Sequence, residues 1–66
     1  MRIRINGEEK ELAASCRLSE LVGQLGLKAD RLAIELNREI VPRTRWEETQ
    51  VNDGDKLEIV HFVGGG

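Results

Sequence analysis

The sequence contains few of the residue types from which catalytic and metal sites are usually built. Its 66 residues include one histidine, one cysteine, one tryptophan and one phenylalanine, with no tyrosine. This composition excludes a Cys/His metal site, which needs several ligands at fixed spacing. The glycine-rich loop with a lysine that binds phosphates is also missing. Because a domain this small seldom encloses a catalytic pocket, we expect a protein that is not an enzyme and has no cofactor.

The single cysteine, Cys16, indicates the cellular setting. It cannot form a disulfide within the chain, and a lone thiol is typical of proteins from a reducing compartment. No apolar stretch approaches the roughly 20 residues of a membrane-spanning helix, and no signal peptide precedes the domain. We therefore expect a cytoplasmic protein with no membrane association.

The charge distribution argues against a nucleic-acid partner. Ten basic and twelve acidic residues give a formal net charge of −2, and no basic run is present. Nucleic-acid binding would require a clustered basic face. The apolar fraction of 39% is ordinary for a folded protein. We therefore expect residues 1–66 to form one globular domain.

Hydrophobic periodicity predicts an α+β domain with the element order ββαββ, a short turn, then β. Residues 1–5 and 8–13 form a hairpin around Asn6-Gly7. Apolar residues at helical spacing predict a helix over 18–25, with Ser15 as N-cap and Gly26 as the C-terminal stop. The remaining segments are strands at 32–36, 39–41 and 57–63, turns at 37–38 and 52–55, and a helical turn around Trp46. We expect the helix to pack across one face of the sheet and to close a single core.

The end of the sequence, Gly64-Gly65-Gly66, follows directly on the last predicted strand. Glycine makes up only about 7% of average proteins, so three in succession are unusual. Glycine packs no side chain and has the largest backbone entropy to lose. We therefore expect Gly64 and Gly65 to be a flexible tether that carries the carboxylate of Gly66 into the active site of another protein.

Two apolar residues next to this tail are predicted to contact a partner. Side chains alternate along a strand, and Leu57 and Ile59 match the core phase. Val60 and Phe62 should therefore face the opposite, exposed side, where large apolar side chains indicate a docking surface. A β-bulge would reverse the phase and place both residues in the core instead.

These features together resemble one protein family. The shared motifs are the opening Ile-Asn-Gly-Glu, residues 37–42, Trp46, and the ending formed by residues 51–55 and 59–66. With the element order, they resemble the sulfur carrier proteins of thiamine biosynthesis, which have the β-grasp, or ubiquitin-like, fold. The resemblance implies a mixed sheet with the first and last strands adjacent and parallel at its centre. The small subunit of molybdopterin synthase, which has a similar tail, and a ubiquitin-like protein modifier are the alternatives.

The resemblance implies a sequence of partners. An ATP-dependent activating enzyme, similar to ubiquitin-activating enzymes, would adenylate the carboxylate of Gly66. Sulfur from a cysteine desulfurase would then replace one oxygen and give a thiocarboxylate. Thiazole synthase would take that sulfur to build the thiazole ring. Cys16 is not required by this chemistry.

Overall fold

The first and last strands lie side by side and run parallel in the computed structural model, which describes residues 1–62. The strands are β1 (Arg2–Ile5), β2 (Glu8–Glu11), β3 (Cys16–Arg17), β4 (Leu32–Leu36), β5 (Glu39–Ile40), β6 (Gln50–Val51) and β7 (Lys56–His61). The helical segments are α1 (Leu18–Gln24) and two 3₁₀ helices (Ala29–Arg31 and Arg43–Glu48). Among residues 1–62, five strands form a mixed sheet in the order β2-β1-β7-β4-β5, and β3 pairs with β6. The predicted α+β class and the central parallel pair are confirmed.

Two tight turns of the same type flank the central strands. Asn6 and Gly7 have φ angles of 51° and 83°, and Asn37 and Arg38 have φ angles of 51° and 72°. Positive φ at both central residues is the type I′ geometry, whose twist matches that of the flanking strands. The first turn joins β1 to β2, and the second joins β4 to β5. Both turns were predicted from sequence.

The helix α1 has the predicted position but not the predicted N-cap. The backbone amide of Arg17, the residue before the helix, donates to the carboxylate of Glu20 at 2.8 Å. The prediction for Ser15 was wrong, because its hydroxyl donates to the carbonyl of Val51 at 2.8 Å. The helix ends at Gln24 with Leu25 as its C-cap, and Gly26 follows as the predicted stop, with a φ of 71° that suits glycine.

One hydrophobic core lies between α1 and the inner face of the sheet. Trp46 lies in the second 3₁₀ helix, is 3% exposed, and donates from Nε1 to the carbonyl of Val41 at 2.9 Å. The core is formed by the buried residues Ile3, Ile5, Cys16, Leu18, Leu21, Val22, Leu32, Ile34, Trp46, Val51, Leu57 and Ile59. The outer face of the sheet has no layer over it among the described residues, so its side chains face solvent.

Candidate functional site

The strand that precedes residues 63–66 is the middle strand of the sheet. Strand β7 pairs in parallel with β1, where Ile5 lies opposite Leu57. On its other side it pairs antiparallel with β4 over Leu32–Leu36. The backbone of Phe62 is also held, because its amide donates to the carbonyl of Arg31 at 3.0 Å. The chain is therefore anchored on the body of the protein up to residue 62.

Side chains on β7 alternate as the sequence predicts. Leu57 and Ile59 are 1% and 7% exposed, whereas Val60 and Phe62 are 55% and 51% exposed. No bulge reverses the phase, so the alternative of core packing for these two residues is wrong. The orientation of Val60 and Phe62 is confirmed, and their contact with a partner stays a prediction.

The outer face of the sheet combines an apolar end with a charged middle. Val60 lies directly opposite Ala33 of β4, which is also exposed. We call Ala33, Val60 and Phe62 the apolar patch. One step further from the tail, Glu58 lies opposite Glu35, and both are exposed. The apolar patch therefore lies at the end of β7 from which the tail continues.

The residues with the predicted chemistry lie outside the described part of the chain. Gly64, Gly65 and Gly66 follow Val63, and all four residues are beyond the range 1–62. The modification of Gly66 and the tether formed by Gly64 and Gly65 therefore stay predictions.

Sequence reasoning missed a polar contact to β7. The side chain of Asn6 forms two hydrogen bonds with the backbone of Ile59, at 2.8 and 2.9 Å. Asn6-Gly7 indicated a turn, but the sequence carried no sign that the asparagine side chain would reach a strand 53 residues later. Only the parallel pairing of β1 and β7 brings these residues together.

The described residues offer neither a metal site nor a reactive thiol. Within residues 1–62, no group of three or more His, Cys, Asp or Glu side chains could hold a metal ion. Cys16 is 8% exposed. Burial raises the pKa of its thiol above the ordinary value, and the negative charge of Glu20 adds to this. A separate search of that same part of the chain finds no helix long and apolar enough to cross a membrane.

Comparison with known proteins shows the family. Residues 3–66 match the ThiS family. The sulfur carrier protein ThiS of Escherichia coli is 33% identical over 66 residues, and the match covers 100% of both chains. A thiazole synthase of Paramagnetospirillum magneticum is 50% identical over 66 residues, which are 100% of this chain and 20% of the relative. The chain therefore spans about a fifth of that enzyme and the full length of the carrier.

A solved structure agrees with this assignment. The crystal structure of the thiamine biosynthesis protein ThiS from Geobacter metallireducens superimposes with a TM-score of 0.89. It is 33% identical, and the match covers 100% of both chains. The shared fold is the β-grasp fold that the sequence predicted. ThiS proteins are carriers, not catalysts. The chain belongs to the ThiS family of sulfur carrier proteins of thiamine biosynthesis.

Proposed function

We propose that the reacting group of this sulfur carrier is the carboxylate of Gly66. The supporting observation is the position of the apolar patch. Val60 and Phe62 are exposed at the end of the middle strand, and the three glycines follow within four residues. Such an arrangement lets a partner bind the folded body by the apolar patch while the tail enters its active site.

The chemistry of a C-terminal carboxyl group requires an activating step. Its reference pKa is near 3.5, so it is an anion at pH 7 and a poor acyl electrophile. Its oxygen can attack the α-phosphorus of ATP and release pyrophosphate. The acyl-adenylate then has a phosphate leaving group, and the persulfide of a cysteine desulfurase can displace AMP to give an acyl disulfide. A thiol reductant then cleaves the S–S bond and releases the thiocarboxylate. The activating enzyme must supply the metal and cationic groups for the phosphates.

The length and composition of the tail suit this transfer. Three extended residues span about 10 Å, and glycine lets the backbone enter a channel too narrow for side chains. Ordering each glycine costs about 1–2 kcal/mol in backbone entropy. Burial of the apolar patch against the activating enzyme would offset this cost, because desolvating large apolar side chains is favourable.

Thiazole synthase is the proposed sulfur acceptor. In the Paramagnetospirillum relative, a region similar to this whole chain is part of a thiazole synthase. A single polypeptide that carries both supports a direct encounter between carrier and synthase. The family match favours this pathway over a molybdopterin synthase subunit and over a protein modifier. We place the reactions in the cytoplasm, where reducing conditions preserve thiols.

The proposal is tested by reconstitution with the activating enzyme. We expect ATP–pyrophosphate exchange that depends on the carrier. After addition of cysteine desulfurase, cysteine and a thiol reductant, intact mass should increase by the difference between sulfur and oxygen. Deletion of Gly66 withdraws the carboxylate by about 3.5 Å, and we expect it to abolish exchange while the unfolding temperature stays unchanged. A rate of ATP–pyrophosphate exchange with the deletion variant equal to that of the full-length protein would contradict the proposal. Conjugates to lysine side chains without a thiocarboxylate would instead indicate a protein modifier.

A further inference from the structure

Two asparagines, Asn37 and Asn6, form hydrogen bonds with the backbone of the middle strand β7 at two different positions along it. Near the beginning of β7, the backbone N–H of Asn37 donates to the carbonyl of Lys56 at 2.8 Å. The side-chain oxygen Oδ1 of Asn37 accepts from the backbone N–H of Lys56 at 3.0 Å. Further along β7, the backbone N–H of Asn6 donates to the carbonyl of Leu57 at 2.9 Å. Asn6 Oδ1 accepts from the amide of Ile59 at 2.8 Å, and Asn6 Nδ2 donates to its carbonyl at 2.9 Å.

The side chain of Asn6 makes the hydrogen bonds to β7 that the backbone of a further β1 residue would otherwise make. Pairing between the two backbones is in register up to Ile5 and Leu57, and the chain then turns away at Asn6. The amide side chain meets both the N–H and the C=O of Ile59, as a neighbouring strand would. The two contacts need opposite polarity, so they fix which side of the amide carries oxygen. Asn6 thus extends the hydrogen bonding between β1 and β7 to Ile59, the residue directly before Val60.

We propose that Asn6 is a positioning residue for the reaction of the carrier tail. By clamping the backbone of Ile59 it fixes the direction in which the chain continues from β7 toward the tail. This inference rests on the proposed function, because it assigns Asn6 to the delivery of the Gly66 carboxylate. Asn6 itself contacts Ile59 and does not take part in the chemistry.

The turn alone does not account for the identity of residue 6. Its φ of 51° would be adopted readily by glycine, which has no Cβ to clash. Asn37 has the same φ of 51° and also bonds to β7. The two asparagines therefore share backbone geometry and a backbone-bonding role. They differ in position: Asn37 bonds to Lys56, at the start of the strand, and Asn6 bonds to Ile59, three residues before Phe62.

This similarity provides a matched pair of variants, Asn6→Gly and Asn37→Gly. Each keeps a residue suited to positive φ and removes the side-chain bonds to β7. Amide hydrogen exchange should rise at Ile59 in the first variant and at Lys56 in the second. Steady-state adenylation is then measured by ATP–pyrophosphate exchange with the activating enzyme, with the carrier as the varied substrate.

We expect Asn6→Gly to lower kcat by about tenfold, because displacing a reacting group by about 1 Å can cost a hundredfold. The KM should change by less than about threefold, because the side chains of the apolar patch remain in place. Asn37→Gly should leave both constants within about twofold of the unmodified protein. Asn6→Asp keeps the acceptor for the Ile59 amide, and we expect a smaller fall in kcat than with glycine.

Two results would overturn the inference. One is a kcat for Asn6→Gly within about twofold of that of the unmodified protein; the other is an equal fall for Asn37→Gly, which would indicate a general loss of structure. If Asn6→Gly does not fold, a kcat for Asn6→Asp equal to that of the unmodified protein would overturn it. Failure of the proposed function would give a different result, because the unmodified protein itself would then support no ATP–pyrophosphate exchange.

Discussion

Glu35 and Glu58 lie directly opposite each other on β4 and β7, and both side chains are exposed. Like charges in this cross-strand position are destabilising. We predict that Glu35→Lys, which creates an opposite-charge pair, raises the free energy of unfolding by about 0.5 kcal/mol. Urea unfolding at low ionic strength would measure the change. The gain should shrink in 1 M salt, where the Debye length is about 3 Å; a gain unaffected by salt would point to a cause other than charge.

Phe62 is predicted to contribute to binding and little to folding. Its side chain is 51% exposed, so we expect Phe62→Ala to change the free energy of unfolding by less than about 0.5 kcal/mol. Binding to the activating enzyme should weaken by about 1–3 kcal/mol if the ring is a docking anchor. Titration calorimetry and thermal unfolding would measure the two effects.

A control for this variant is Ile40→Ala. Ile40 is 74% exposed but lies on the edge strand β5, two strands away from β7. Neighbouring strands are about 4.8 Å apart, so Ile40 is about 10 Å from the line of β7. We expect Ile40→Ala to leave binding to the activating enzyme unchanged. A large loss of stability with unaltered binding for Phe62→Ala would show that Phe62 acts in packing and not in docking.

The tail is predicted to tolerate no side chain at its middle position. A leucine at position 65 would meet the wall of a narrow channel before the carboxylate reached ATP. We therefore expect Gly65→Leu to abolish adenylation, and the melting temperature to stay the same because residue 65 follows the last strand of the described sheet. Pyrophosphate exchange and thermal unfolding are the measurements. Adenylation at the normal rate would exclude a tail that threads into a narrow site.

Cys16 is predicted to influence stability at alkaline pH and not sulfur transfer. Burial raises the pKa of its thiol in the folded protein, so the unfolded chain loses this proton at a lower pH. Folding stability should therefore fall as pH rises above about 8.5, the ordinary thiol pKa. Cys16→Ala should remove this part of the pH dependence at a cost of about 1 kcal/mol at pH 7.

The same variant tests the chemistry. Because Cys16 is buried, with 8% of the residue exposed, we expect Cys16→Ala to form the thiocarboxylate at the normal rate. Urea unfolding at pH 7.5 and pH 10 and intact mass would give the two answers. Loss of thiocarboxylate by a folded Cys16→Ala protein would make Cys16 part of the sulfur pathway.

Elements with strong periodicity or a specific turn signal were predictable from the sequence. Strand β4 has the predicted bounds, Leu32–Leu36, because three apolar residues alternate there. Both type I′ turns carry asparagine at their first central position, where positive φ is needed. The orientation of Val60 and Phe62 followed from the same alternation, since β7 is regular.

The two-residue strands and the side-chain hydrogen bonds that join distant segments were not predictable from local sequence patterns. Strands β3 and β6 contain two residues each and have no period to detect. Their pairing joins Cys16 to Val51 across the fold, and this same approach brings Ser15 to the carbonyl of Val51 and away from the helix. The contact of Asn6 with Ile59 belongs to the same class, because tertiary structure alone creates it.

The central place of β7 couples completion of the sheet to synthesis of the segment that directly precedes the proposed reactive carboxylate. The hairpins β1–β2 and β4–β5 belong to one sheet only because β7 lies between them. During translation, β7 is synthesised after every other strand of that sheet, so the long-range pairing that unites it forms late. An incomplete polypeptide that ends before residue 56 lacks the strand that joins the two hairpins. Chains that terminate before residue 56 therefore cannot complete the sheet, and under the proposed function they cannot compete for the activating enzyme as folded proteins that lack the Gly66 carboxylate.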